Sequence, residues 1–581
     1  MSHYLAAGLA LLLAALAGCQ PRASGPAPQK TMHAFQDEAQ LDAFLKDAAE
    51  QAGERTADAA VLPASAPARA PADAGASAVV REHGRHLVLL RRGRLLTVDI
   101  GKDQLKLVAA LDARAPGDEA QEAMAVADGT VALIGRRPGG TGIALFDIDA
   151  AGRLRYRASY QLRAGLHGAA MQESVRQIGS KLVLYSALAL DPLASDQLAA
   201  LPALRGALAG ADPAAAPFTR IAPATRIHVG EAPIDPDLGL VLHSVTVCDL
   251  ALRALRCDAS AVLGPPARTF HMAPEAVYVW SAPHKDDAGA SLYRIPLNGG
   301  APGAIRVAGA PHAPSAFHES ADGHVNVLVG PGGAGQPSWR GRAGADDLAL
   351  LRLPLTALSD GSESAAPSSY RQLPAFASQQ LRSRYVGPWL LYGSAGDGGA
   401  PLYALRWDGT GAPQRLDLAH PAEHIAPMGD DAVVTGQAQG ELSLSSVRLR
   451  QQAALANTHV HALAEESAGV RHGFHYTSQR PGQGMVGLPL VQTREAQAAG
   501  EPETVVSVLY LRNTALKLRE LGTLKAQGGE GGDAAALPPP LPLFVQGRVF
   551  ALMGDELVEG KLKNGRLREV RRIDLAPASA Q

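Results

Sequence analysis

At 581 residues, with 46% hydrophobic and 19% charged side chains, the chain can bury one very large core or several ordinary ones, and wholesale disorder is excluded. Its 54 basic and 56 acidic residues leave a formal net charge of -2, so no global field gathers nucleic acid or an anionic bilayer surface. Aromatic residues make up 4% of the chain with 4 Trp, which weighs against a stacked sugar groove or a quinone held between indoles.

The N-terminus carries the sharpest signal. From Leu5 to Ala17 the run LAAGLALLLAALA is 13 residues of uninterrupted apolar sequence, shorter than the roughly 20 needed to cross a bilayer as a helix. It ends in Leu16-Ala17-Gly18-Cys19 and reads as a signal peptide over 1–18. The tetrad resembles the lipobox of bacterial lipoproteins, which implies that Cys19 is acylated and becomes the first residue of the mature chain. Met1-Ser2-His3-Tyr4 departs from that pattern by offering no Lys or Arg, and a plain secretory signal or a buried apolar helix is the alternative. Gln20 stands where an Asp would retain such a lipoprotein at the inner membrane, so the resemblance implies the outer membrane. Stable anchoring takes two or more acyl chains.

Residues 19–34, with QPRASGPAPQK at their centre, are expected to form a solvated tether. Over 35–52, Phe35, Leu41, Phe44, Leu45, Ala48 and Ala49 recur at helical spacing, with Asp42 four residues before Lys46, which predicts a short amphipathic helix. An Ala/Pro-rich linker follows over 53–78. From 79 to 576 strand pairs recur, punctuated by turn signals such as DGT, GDGG and KNG. Early-strand residues Val88, Val131, Leu182, Val277, Val325, Leu390, Val433, Val486 and Val545 mark the repeat. The 95-residue interval after Leu182 reads as nearly two periods and holds a surface insertion at about 192–217.

A strand-built repeat of roughly 40 to 50 residues predicts an all-β protein, a β-propeller of seven or eight blades, because a four-stranded sheet hides both faces only when neighbours stack on it around an axis. Strands from the two chain ends are expected to close the ring, with 541–575 completing the sheet begun near 79. A pair of β-sandwiches is the alternative that variable spacing leaves open.

Several segments carry a wider resemblance. They are Phe35-Gln36-Asp37-Glu38-Ala39-Gln40-Leu41 with Phe44-Leu45-Lys46, the run YRQLPAFASQQLRSRYVGPWLLYG (370–393), and Pro401-Leu402-Tyr403 leading to Trp407-Asp408. Further along come Arg471-His472-Gly473-Phe474, Val486-Gly487-Leu488-Pro489, and the stretch from Arg548 to Gly560. In this order they resemble the bacterial and archaeal secreted proteins with a C-terminal β-propeller distantly related to WD repeats. The resemblance implies a fold and an extracytoplasmic setting, and it transfers no catalytic residue.

Beyond Cys19 the chain has only Cys248 and Cys257, in VTVCDLALRALRCDAS. A hairpin centred on Leu252-Arg253 would set the thiols opposite each other, so either they pair as a disulfide suited to an oxidising compartment or both stay as buried thiols. A zinc site lacks ligands, since the nearest histidine is His243 in the preceding strand. Among the 18 histidines, His459 and His461 share one face of a strand, with His472, His475, His420 and His424 as further candidates. No HExxH or well-spaced acid accompanies them, so hydrogen-bonded histidines are the plainer reading. Asp147-Ile148-Asp149-Ala150-Ala151-Gly152 lacks the third ligand and closing Glu of a calcium loop. The glycine-rich stretch 330–347 lacks a following Gly-Lys-Ser/Thr, and no GxSxG elbow appears.

These readings assign no catalytic, cofactor-binding or metal-ligating residue. The expected function is that of an envelope-anchored lipoprotein whose propeller binds or assembles with a protein, peptide or glycan ligand, as a monomer held to the membrane at Cys19. The alternative is an extracytoplasmic hydrolase or lyase at the axial mouth of the propeller. A mouth lined by two or more of His459, His461 and His472 with nearby acids would favour the enzyme.

Overall fold

The computed structural model describes residues 30–53 and 80–577, less 114–119, 164–173, 192–193, 195, 209–214, 233, 235–237, 283–288, 333–336, 343–346, 377–379, 397–400, 464–466, 495–502 and 528–539. Cys19 lies outside these residues. Among them, no helix is long and apolar enough to cross a membrane.

The described residues form nine sheets of four to six strands in chain order, plus one two-stranded hairpin. Within each sheet the innermost strand, counted as the first, lies at an edge and pairs only with the second, and in blades 5 and 8 it is split into two short segments. First strands of successive sheets touch one another, as between blades 1 and 2 and between blades 6 and 7, so they surround the axis. The result is a nine-bladed β-propeller, two blades or one more than the repeat predicts.

Strand chemistry follows from position in the blade. The second strands are covered on both faces by neighbouring blades, so Ala276–Ser281 (AVYVWS) and Trp389–Ser394 (WLLYGS) are buried at every residue. Continuous apolar runs rather than alternation are what such strands require. Outermost strands meet solvent on their free edge, and Ala453–Ala462 is exposed over most of its length. Turns match their residues: at Asp128-Gly129 both φ values are positive (49° and 72°), as at Asn564-Gly565 (51° and 75°). This handedness fits the twist of the flanking strands.

Apolar layers fill every gap between blades, including the one between the chain ends. There Leu87, Leu89, Leu96 and Val98 of blade 1 pack against Phe550, Leu552 and Leu557 of blade 9. Arg94 Nη1 donates to the Leu575 carbonyl at 2.8 Å, and Arg548 Nη2 to that of Gln104 at 2.9 Å. The expected strand exchange does not occur: Val80–Asp112 and Leu541–Asp574 form separate four-stranded sheets, and closure is by side-chain packing.

The long interval after Leu182 is one blade interrupted, not two. In blade 3 the strand Lys181–Ala189 pairs directly with Val241–Asp249, residue for residue from Lys181↔Asp249 to Ala189↔Val241. The intervening chain leaves and returns. On the way Ala203–Leu208 adds a strand to the outer edge of blade 2, and Ile227–Val229 adds one in parallel to blade 3. Of the segment 192–217 predicted as a surface excursion, Ala203–Leu208 is therefore woven into the sheet of blade 2.

The helix spans Glu38–Gly53. Asp37 starts it, since its Oδ1 accepts from Gln40 N at 2.8 Å, while Gln40 Oε1 accepts from the N–H of Gln36, one residue before the cap, at 2.7 Å. Leu41 and Leu45 are fully buried against Ile227, Leu242, Ala261 and Leu263, so the helix docks on the added edge of blade 3.

Candidate functional site

The structure disperses the histidines that the sequence brings together. His459 and His461 sit on the outermost strand of blade 7, far along the sheet from the axis. Both meet Glu520 on the outermost strand of blade 8, His459 Nε2 at 3.2 Å and His461 Nδ1 at 2.7 Å from the same Oε1. The partner acid, 59 residues beyond His461, has no sequence signal because it belongs to the next blade. Among the described residues no group of three or more His, Cys, Asp or Glu is arranged to hold a metal ion. His420 is buried, with Nε2 2.8 Å from Ser445 Oγ, and burial holds it below the usual imidazole range. His424 and His475 lie on the first strands of blades 7 and 8. The side chain of His472 falls outside the described residues.

Cys248 and Cys257 stand opposite each other across the Val241–Asp249/Arg256–Gly264 pair, their sulfurs bonded at 2.03 Å. The carboxylates of the calcium-like loop are occupied from within. Asp149 Oδ1 accepts from Ala151 N and Arg153 N, each at 2.9 Å, and Asp147 Oδ2 lies 3.1 Å from Arg155.

Chemistry around the axis comes from a pattern that a linear reading does not expose. In blades 1, 3, 4, 5 and 6, the residue two before the last pair of the first hairpin is Arg81, Arg176, His271, His318 and Arg384, respectively. Because all first strands run the same way, these five basic side chains lie at one height. They lean onto the following blade: Arg176 donates to the Met272 carbonyl, His271 stacks on Phe317 with centroids 5.5 Å apart, and His318 stacks on Tyr385 at 4.9 Å. Nearer the opposite end, Arg268 donates to the Gly332 carbonyl and Arg382 Nε to that of Glu423 at 3.3 Å.

Among the described residues no ion pair joins Arg81, Arg176, Arg268, Arg382 or Arg384 to a carboxylate. The first-strand acids are mostly engaged elsewhere: Glu122 lies 2.7 Å from Arg136 Nε, and Glu319 is held by Tyr278 and by Arg294 at 3.2 Å. Glu82 is exposed at the turn end of blade 1. Arg268 reaches solvent, yet the protein crowds it enough to pull its guanidinium below the usual value, as burial does for Arg81. His271 and His312 are pushed down to about 4, by burial first and then by Arg176 and Arg382 beside them, so at neutral pH they stay uncharged.

A concavity of about 340 Å³ opens beside the helix, walled by Phe44, Leu45, Leu190 and Leu240 with Asp47 and Glu231 among its polar groups. It belongs to the docking of the helix on the interrupted blade, away from the axis.

Sheets stacked in a ring around an axis define the chain as a β-propeller. Similar solved structures include Citrobacter koseri AztD, at 8% identity over 83% of this chain and 92% of that one with a TM-score of 0.33. They also include dihydro-heme d1 dehydrogenase NirN, at 13% identity over 79% and 81% with a TM-score of 0.34. The periplasmic gluconolactonase of Pseudomonas aeruginosa is a third, at 15% over 57% and 92% with a TM-score of 0.28. At these identities the likeness is one of architecture. No family model matches the chain, and no curated protein matches it.

Proposed function

We propose that this chain is an envelope lipoprotein, anchored through acylated Cys19 and destined for the outer membrane, whose nine-bladed ring is a non-catalytic binding module for a protein, peptide or glycan ligand. The order of the sequence motifs supports kinship with the secreted propellers related to WD repeats. One observation carries the binding reading: among the described residues the guanidiniums of Arg81, Arg176, Arg268, Arg382 and Arg384 have no carboxylate partner, and a guanidinium holds a ligand but does not exchange protons near neutral pH. A hydrolase or lyase at the axial mouth needs a poised acid and base there. Instead, Glu319 is clamped by Tyr278 and Arg294, and the pair His459 and His461 lies on the outer rim.

Photo-crosslinking in intact envelopes, followed by identification of the captured molecules, tests the binding role. A recurring partner is expected, and capture no different from an unrelated lipoprotein would refute it. The anchor has its own measurement: palmitate-analogue labelling and membrane pelleting should both vanish in Cys19→Ser, and unchanged labelling would remove the lipid from the proposal.

A further inference from the structure

We infer that the axial channel takes a ligand bearing several oxyanion groups, of the chemistry found on a carboxylate- or phosphate-bearing glycan, gripped by Arg81, Arg176, Arg268, Arg382 and Arg384. The inference rests on the binding reading above and adds the chemical class of the ligand. Four blades contribute these residues: blade 1 gives Arg81, blade 3 Arg176, blade 4 Arg268, and blade 6 Arg382 and Arg384. They occupy the hairpin-proximal level and positions nearer the other end, so the charge runs both around the channel and along it. A chain of anionic groups matches that spread better than one small anion.

Unspent donors point the same way. Each guanidinium offers five N–H groups in a planar fork that fits carboxylate and phosphate oxygens. Arg81 gives one bond to the carbonyl of its neighbour Val80 at 3.0 Å, Arg176 and Arg268 each give one to a carbonyl of the following blade, and Arg384 gives none among the described residues. Some arginines elsewhere on the molecule are matched with acids, as in Arg548 and Arg571 with Glu559 and Arg572 with Glu556 and Glu569. The chain carries 56 acidic residues, yet among the described residues none pairs with these five arginines.

Fluorescence anisotropy with a labelled oligogalacturonate and the full mature chain tests this. Binding should fall steeply with added salt, as expected where fixed cations meet a polyanion. An uncharged oligoglucan of equal length should not bind. Arg384→Gln and Arg176→Gln should each weaken binding about tenfold, the loss of one charge-assisted hydrogen bond, while Arg519→Gln, on the outermost strand of blade 8, leaves it unchanged. Arg384 makes no hydrogen bond or ion pair among the described residues, so its variant should keep the wild-type thermal midpoint, and any loss of affinity reads the ligand contact.

Equal affinity in Arg384→Gln, or equal binding of the uncharged glycan, overturns the inference. So does tighter, Arg384-dependent binding of anionic phospholipid vesicles than of oligogalacturonate, which would assign the same arginines to a lipid headgroup. If envelope crosslinking captures a partner while oligogalacturonate is ignored, this inference falls and the binding module stands. If neither probe is held, both fall.

Discussion

Mild acid should loosen this ring, and His243 allows the size of the effect to be worked out. The residue is completely buried in blade 3. Its Nε2 lies 2.8 Å from the Pro265 carbonyl and must donate to it, which leaves Nδ1 to accept from the Tyr185 hydroxyl at 3.0 Å. That tautomer has no room for a second proton. Burial holds the imidazole down at about 4, outweighing the Pro265 carbonyl, which acts in the opposite direction. In the unfolded chain the value returns to about 6.5. The folded value is the lower one, so the unfolded state takes up the proton first; the stabilisation is complete above about pH 6.5 and is lost as pH falls towards 4. At 1.36 kcal/mol per unit, the loss between about pH 7.5 and 4.5 is roughly 2.5 kcal/mol from this residue alone. His271 and His312, also held at about 4, act with the same sign. Urea denaturation of wild type and His243→Gln at both pH values isolates the His243 contribution as the difference between two pH slopes. Parallel slopes, or a His243 resonance titrating near 6.5, would refute the argument.

Two further outcomes follow from the packing. Arg548 bridges the closing blades, with Nη2 2.7 Å from the buried Glu559 and 2.9 Å from the Gln104 carbonyl. Arg548→Met should cost about 2 to 4 kcal/mol, less than a fully orphaned buried charge because Arg571 still holds Glu559 at 2.7 Å. Amide exchange should rise first in His86–Arg91 and Arg548–Met553, and uniform exchange across all blades would contradict closure by side chains. For the cysteine pair, mass mapping without reductant should find Cys248 and Cys257 protected from alkylation, and Cys257→Ser should lower stability by roughly 2 to 3 kcal/mol. Alkylation of either residue in the native exported protein would remove the bridge.

The repeat was legible because each blade is built from local hairpins. Eight of the nine marker residues, from Val88 to Val486, fall in the second strand of a blade, the strand whose two-sided burial demands an unbroken apolar run. The ninth, Val545, ends the first strand of blade 9 and pairs with Arg548 at the hairpin. Nine markers thus stood for nine blades; assigning 541–575 to the first sheet lowered the expectation, while reading the interval after Leu182 as nearly two periods erred in the other direction. Neither point is local. Whether the chain ends share a sheet depends on strands more than 400 residues apart in sequence.

By itself the sequence determined the strands, their turns, the helix and the apolar leader ending at Cys19, since each is written in short-range periodicity or in a contiguous motif. Tertiary structure alone decided the number of blades, the weaving of Ala203–Leu208 and Ile227–Val229 into neighbouring sheets, and the bond of His459 and His461 to Glu520. It also decided the level shared by Arg81, Arg176 and Arg384, because a common height around an axis exists only after blades of unequal length have been stacked in register on their hairpins.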